Sequence, residues 1–291
     1  MLTGTFTAIV TPFKSGKLDE DALNKLLHQQ IEGGVDGVVP VGTTGESPTL
    51  NCDEHLRVIE LTVAAAAGKI KVLAGTGGNA TEEAIYLTKE AEKRGVDGSL
   101  QVAPYYNKPS QEGLFQHFKA IAESTELPII LYSIPGRCGV AIDVSTVEKL
   151  ADHCPNIVGI KEAGGDADRV SQLRQELGNE FIILSGDDAL TLPFMSVGAQ
   201  GVISVASNLI PDRISAMVNY FANGQIADAL SIHQQHYQLF KALFVETNPV
   251  PVKEALHMMG HIEAEIRLPL VSMTDSNLQQ LRSVINAYGL I

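Results

Sequence analysis

Lys161 closes the β-branched stretch Asn156-Ile157-Val158-Gly159-Ile160 and is followed by Glu162-Ala163-Gly164-Gly165. A lysine stripped of water loses proton affinity and can attack a carbonyl near neutral pH, forming a Schiff base. The same stretch also suits an ordinary strand-end lysine with its stem on apolar surface and its charge in water, so other residues must decide. Gly42-Thr43-Thr44-Gly45-Glu46-Ser47 sets two hydroxyls between glycines, where the backbone can approach a ligand closely. Such a turn can hold a carboxylate through N–H and O–H groups, or be a turn and nothing more. It lacks the Gly-Lys-Thr/Ser ending of a Walker A loop. Three of the seven tyrosines, Tyr105, Tyr106 and Tyr132, end or follow apolar runs. A phenol there can transfer protons or pack as an amphipathic rim. Arg137, two residues past Pro135, can fork onto a carboxylate or remain a solvated loop charge. Ser185-Gly186-Asp187-Asp188 and Ile203-Ser204 add small polar groups. Cys52, Cys138 and Cys154 show no CxxC spacing, and the eight histidines are scattered. Neither a zinc site nor a disulfide framework is expected. The predicted chemistry is that of a carbonyl substrate, with no metal and no cofactor.

These groups act together only if the fold brings them to one face. Apolar runs at 6–10, 35–41, 71–74, 98–103 and 128–132 alternate with helical patterns at 19–31, 54–67, 81–94, 111–123 and 143–151, and further units begin at Ile157, Phe181 and Gly201. Eight β-loop-α units without a Pro/Ser-rich linker predict an α/β fold, a closed (β/α)8 TIM barrel, over an open doubly wound sheet. Gly-Val-Asp-Gly recurs at 34–37 and 95–98, between a helix and a strand each time. From Gln225 the pattern turns to helix alone, predicted at 226–243, 250–259 and 275–288. The expected organisation is a catalytic barrel over 1–224 with a C-terminal helical extension over 225–291. In such a barrel the strand ends and the loops after them converge on one face.

Hydrophobic residues make up 45% of the chain and aromatics 5%, with no Trp, which fits an interior of Val, Ile, Leu and Ala. A net charge of -13 with no basic face argues against nucleic acid. No apolar stretch is long enough to span a membrane, and no signal-peptide pattern opens the chain. With an odd set of cysteines, a soluble cytoplasmic protein is expected.

Taken jointly, Gly42-Thr43-Thr44-Gly45-Glu46, Tyr105-Tyr106-Asn107-Lys108-Pro109, Tyr132-x-x-Pro135-x-Arg137-x-Gly139 and Gly159-Ile160-Lys161-Glu162 resemble the dihydrodipicolinate synthase family of pyruvate-dependent class I aldolases. The resemblance runs from Gly4 to Leu290 and includes Phe244-Val245-Glu246-x-Asn248-Pro249-x-Pro251-Val252-Lys253 and Arg267-Leu268-Pro269. It implies a lyase that condenses pyruvate with aspartate semialdehyde in diaminopimelate and lysine biosynthesis. Lys161 would form the imine, Tyr132 would shuttle protons, and Thr43 would relay them to Tyr106 reaching in from a neighbouring subunit. Thr44 would hold the pyruvate carboxylate and Arg137 that of the semialdehyde, while Gly186 and Ile203 line the lysine pocket. The family also implies a homotetramer, built as a dimer of dimers, and feedback inhibition by lysine bound at Ser47, His55, Asn79, Glu83 and Tyr105. Cys52 stands where sensitive bacterial members often carry histidine, and Pro48 occupies a variable position. Ser133 and Cys138 replace the family's common Asn and Thr, and a Cys138 beside Arg137 can make such an enzyme sensitive to thiol reagents. The rival readings are an N-acetylneuraminate or 2-keto-3-deoxy sugar acid lyase, and a barrel that binds a keto acid without catalysis. The doubled Thr43-Thr44 and Arg137 favour the synthase.

Overall fold

The computed structural model describes all 291 residues. The strands are β1 (Gly4–Ala8), β2 (Phe13–Lys14), β3 (Lys17–Leu18), β4 (Gly37–Val39), β5 (Lys71–Gly75), β6 (Gly98–Val102), β7 (Ile129–Ser133), β8 (Ile157–Glu162), β9 (Ile182–Ser185) and β10 (Gly201–Ser204). Eight of them pair in parallel in the order β1-β10-β9-β8-β7-β6-β5-β4, and β4 returns to β1 to close a barrel. The hairpin of β2 and β3 was not foreseen; its strands are two residues each. β4 stops short of the 35–41 run expected for it, because Pro40 has no N–H for the ladder and Val41 turns to φ 50°. A helix follows each barrel strand, as in Cys52–Ala66 and Ala167–Leu177. Asn51 and Glu54 start the first of these with a reciprocal capping box.

Alternation along the strands makes two cores. On β7 Ile129 and Leu131 face the helices, while Ile130 and Tyr132 point into the barrel with Phe6, Leu100, Leu184 and Ile203. Helices Ile226–Ala242, Val250–Met258 and Asp275–Ala287 follow the barrel. Their Leu239, Phe240, Val252, Leu256, Leu281 and Ile285 are buried in the outer apolar core rather than in one of their own. No helix is long and apolar enough to cross a membrane.

Strand β8 departs from simple alternation. Ile129 pairs with Ile157 and Ile130 with Gly159, which leaves Val158 as an extra residue. Ile157 and Ile160, three apart, therefore both face the outer core. A bulge of this kind re-aims the side chains beyond it. Beyond it Lys161 pairs with Tyr132 and points inward, whereas uninterrupted alternation from Ile157 would have turned it toward the helices.

Candidate active site

Lys161 is 7% exposed, and its Nζ lies 4.1 Å from the centroid of the Tyr132 ring. Burial pulls its pKa from the ordinary 10.5 to about 7, opposed by the Asp188 carboxylate and assisted by the Arg137 charge. Much of the amine is thus neutral near pH 7 and available as a nucleophile. The room for its stem comes from Gly186, where a Cβ would sit 3.0 Å from Lys161 Cε and 2.6 Å from the Ala163 Cβ. Ile203 is buried among the inward-facing residues with Tyr132. Burial raises the Tyr132 phenol to about 12, with Arg137 and then Thr43 pulling the other way. That phenol is protonated at neutral pH and starts as a proton donor. Thr43 lines the same cavity as the phenol.

A cavity of about 220 Å³ opens at the C-terminal ends of the strands, with Gly42, Thr43, Tyr132, Ile134, Arg137 and Cys138 in its wall. Lys161 and Thr44 are not among its lining residues, and Thr44 is only 4% exposed. Arg137 reaches back to donate from Nη2 to the Asn248 carbonyl at 3.1 Å. Cys138 lines the cavity but is 2% exposed, and burial lifts its thiol to about 11. That burial favours the protonated thiol; Cys52 is the exposed one. Tyr106 does not enter the cavity of its own subunit. It is 89% exposed at φ 74°, and its loop is cross-tied by Asn107 Nδ2 to the Asn79 carbonyl and by Asn79 Nδ2 to that of Tyr105.

A second cavity, of about 130 Å³, abuts the first and shares Ser47, Pro48, Gly77 and Tyr105 with it. His55, Glu83 and Cys52 complete its polar lining, so four of the five residues expected to bind lysine converge there, with Asn79 tied to their Tyr105. His55 donates from Nε2 to the Gly75 carbonyl at 3.0 Å, and burial lowers its pKa to about 4. The ring is neutral in ordinary buffers. No three His, Cys, Asp or Glu side chains converge as metal ligands would.

Two features escaped the sequence reading. Asp188, 1% exposed, accepts hydrogen bonds from Ser204 Oγ and from the amides of Val205 and Ala206, and burial pushes its pKa up to about 6. Its charge opposes the fall in the Lys161 pKa. On the outer side of the Gly42–Glu46 turn, Lys253 Nζ pairs with Glu46, both nearly fully buried, and also donates to the Thr11 carbonyl. Arg267 adds its amide to the other Glu46 oxygen and forks onto Glu54. The C-terminal helices thus hold the loop that carries Thr43 and Thr44.

A model of the dihydrodipicolinate synthetase family matches residues 1–288. A 4-hydroxy-tetrahydrodipicolinate synthase from a Sulfurihydrogenibium species is 53% identical over 292 residues, with 100% of both chains covered. Among solved structures, that of the 4-hydroxy-tetrahydrodipicolinate synthase from the thermoacidophilic methanotroph Methylacidiphilum fumariolicum is similar at TM-score 0.97 and 58% identity, over 98% of this chain and 95% of that one. DHDPS from Cyanidioschyzon merolae, solved with lysine bound, is similar at TM-score 0.96 and 45% identity, over 99% of each chain.

Proposed function

The chain belongs to the dihydrodipicolinate synthetase family, and from that premise we propose that it condenses pyruvate with L-aspartate 4-semialdehyde to 4-hydroxy-tetrahydrodipicolinate, the first committed step of diaminopimelate and lysine biosynthesis. The observation that carries this reading is the buried Lys161 amine, brought to about pH 7 beside the Tyr132 phenol. The neutral amine adds to the keto carbon of pyruvate, and loss of water gives the imine. Loss of a methyl proton gives the enamine, whose carbon attacks the aldehyde. Attack of the semialdehyde's own amine on the imine carbon closes the ring and frees Lys161. Tyr132 gives up and regains the proton in these steps, with Thr43 passing it on toward Tyr106 of a neighbouring subunit. Thr44 and its loop amides hold the pyruvate carboxylate, and Arg137 holds that of the semialdehyde.

The exposed Tyr106 supports a site completed by a second subunit, in a homotetramer assembled as a dimer of dimers. Residues 1–224 form the catalytic barrel, and 225–291 are a helical extension that buttresses it. Lysine as feedback inhibitor fits the second cavity: Glu83 for an ammonium, Ser47 and Tyr105 for a carboxylate. Full activity at millimolar lysine would remove that part of the reading. Three free thiols suit a reducing cytoplasm.

Borohydride reduction in the presence of pyruvate tests the chemistry. A pyruvate-derived adduct on Lys161, absent from Lys161→Ala, is the expected result by mass spectrometry; an unmodified Lys161 overturns it. Condensation with the semialdehyde, set against cleavage of N-acetylneuraminate or 2-keto-3-deoxy sugar acids, tests the substrate.

A further inference from the structure

Asn248 is 5% exposed and sits in the turn between helices Ile226–Ala242 and Val250–Met258. Its Nδ2 donates to Thr44 Oγ1 at 3.0 Å, and its main-chain carbonyl accepts from Arg137 Nη2 at 3.1 Å. One residue of the C-terminal extension thereby touches both groups assigned above to substrate carboxylates. We propose that Asn248 is a positioning residue that sets the polarity of the Thr44 hydroxyl and anchors Thr44 and Arg137 to a single point; the inference rests on the roles given to those two residues.

A threonine hydroxyl carries one proton and can accept as well as donate. With Asn248 donating to it, Thr44 must direct its own proton elsewhere, and so it is presented as a donor to a carboxylate. An acceptor at the same place would draw the proton away from the substrate. The Asn248 Oδ1 is buried without a hydrogen-bond partner. A side chain kept for packing alone gains nothing from an orphaned acceptor, which is costly to bury. Its one side-chain bond is the one to Thr44. Farther along the same extension, Lys253 holds Glu46, so the turn is gripped at both Thr44 and Glu46.

The test measures the pyruvate concentration for half-maximal borohydride trapping, and the steady-state KM for both substrates, in the intact assembly. Asn248→Ala is expected to raise the pyruvate KM about tenfold, the loss of one well-placed hydrogen bond. Asn248→Asp keeps the shape but offers Thr44 only acceptors, so it is expected to be worse than Ala. In a Thr44→Val background, Asn248→Ala is expected to add little, because the two residues act as one unit. A structural role alone predicts losses of pyruvate affinity that track the losses of melting temperature and that add to those of Thr44→Val. An unchanged pyruvate KM in the Ala variant, a milder Asp variant or additive losses would each overturn the proposal. The isosteric Asp variant covers an Ala variant that does not fold. If wild-type Lys161 fails to trap pyruvate, it is the reading of the reaction that falls; if it traps and the Asn248 variants behave as wild type, only this inference falls.

Discussion

Lys161 and Tyr132 are register partners on adjacent strands, and the lysine Nζ lies 4.1 Å from the centroid of the tyrosine ring. The two groups are shifted in opposite senses by the same burial. The amine falls to about 7 and the phenol rises to about 12, so at neutral pH about half of the amine and nearly all of the phenol are uncharged. An uncharged amine is the nucleophile and an uncharged phenol the donor, the pair that imine formation needs.

The pH dependence of trapping follows from that shift. Below pH 7 Lys161 is protonated and inert, and as pH rises through about 7 the reactive fraction grows toward one. The single-turnover rate of borohydride trapping should rise along a limb with its midpoint near pH 7, not near 10.5. Asp188 stabilises the ammonium and so raises the midpoint. Asn in its place should move the limb to lower pH, and a limb that stays put or moves up would show that Asp188 does not act on Lys161.

Gly186→Ala tests the space around the lysine stem. The added methyl would meet the Ala163 Cβ at 2.6 Å and Lys161 Cε at 3.0 Å, so one of them must move. Overpacking of this kind costs about 1–3 kcal/mol of stability. Thermal denaturation should show that loss, and the displaced amine should trap pyruvate more slowly even where the fold survives. A variant with wild-type trapping would show that the lysine tolerates the shift.

Tyr106 gives a prediction about assembly. If it serves a neighbour's site, Tyr106→Phe should leave the melting temperature unchanged while kcat falls by about 10²-fold or more, the contribution typical of a positioned proton-transfer group. Co-expressed with the inactive Lys161→Ala chain, it should recover activity that neither parent shows. In the mixed pair one site has Lys161 from one subunit and Tyr106 from the other. Mixed oligomers no more active than the parents would show that Tyr106 does not serve a neighbour's site, and an unchanged kcat in Tyr106→Phe would place it outside the proton path.

Much of the barrel was legible because its strands are apolar runs flanked by Gly, Pro and helical spacing, and because strand ends in such a barrel face one way. That logic also brought Thr43, Tyr132, Arg137 and Lys161 together. It did not reach the Val158 bulge, which is a property of the pairing between β8 and β7 and leaves no mark on Ile157–Glu162 alone. Nor did it reach Asp188, whose importance lies in its burial beneath Ser204, Val205 and Ala206 rather than in its sequence neighbours. The turn at Val41, a β-branched residue at φ 50°, was invisible for the same reason: it goes with a backbone lying so close to Gly45 and Gly75 that neither position has room for a Cβ.

The Lys253–Glu46 pair spans 207 residues of sequence and is the strongest case of structure supplying what the chain order hides. Both side chains are almost fully enclosed, with exposures of 3% and 1%, so neither charge can turn to water if the other is removed. Lys253→Met leaves Glu46 as a buried carboxylate with only the Arg267 amide to meet it. Breaking a buried pair from one side costs about 3–5 kcal/mol, whereas replacing both charges together is far milder. Chemical denaturation should therefore show a large loss in Lys253→Met and a partial recovery in Lys253→Met with Glu46→Gln. Because Glu46 closes the turn that begins at Gly42, the single variant should also raise the pyruvate KM, and the double variant should restore stability more fully than affinity. Equal recovery of both would mean that the pair only stabilises the fold; recovery of stability alone would mean that the extension also aims the Thr43-Thr44 loop at its substrate.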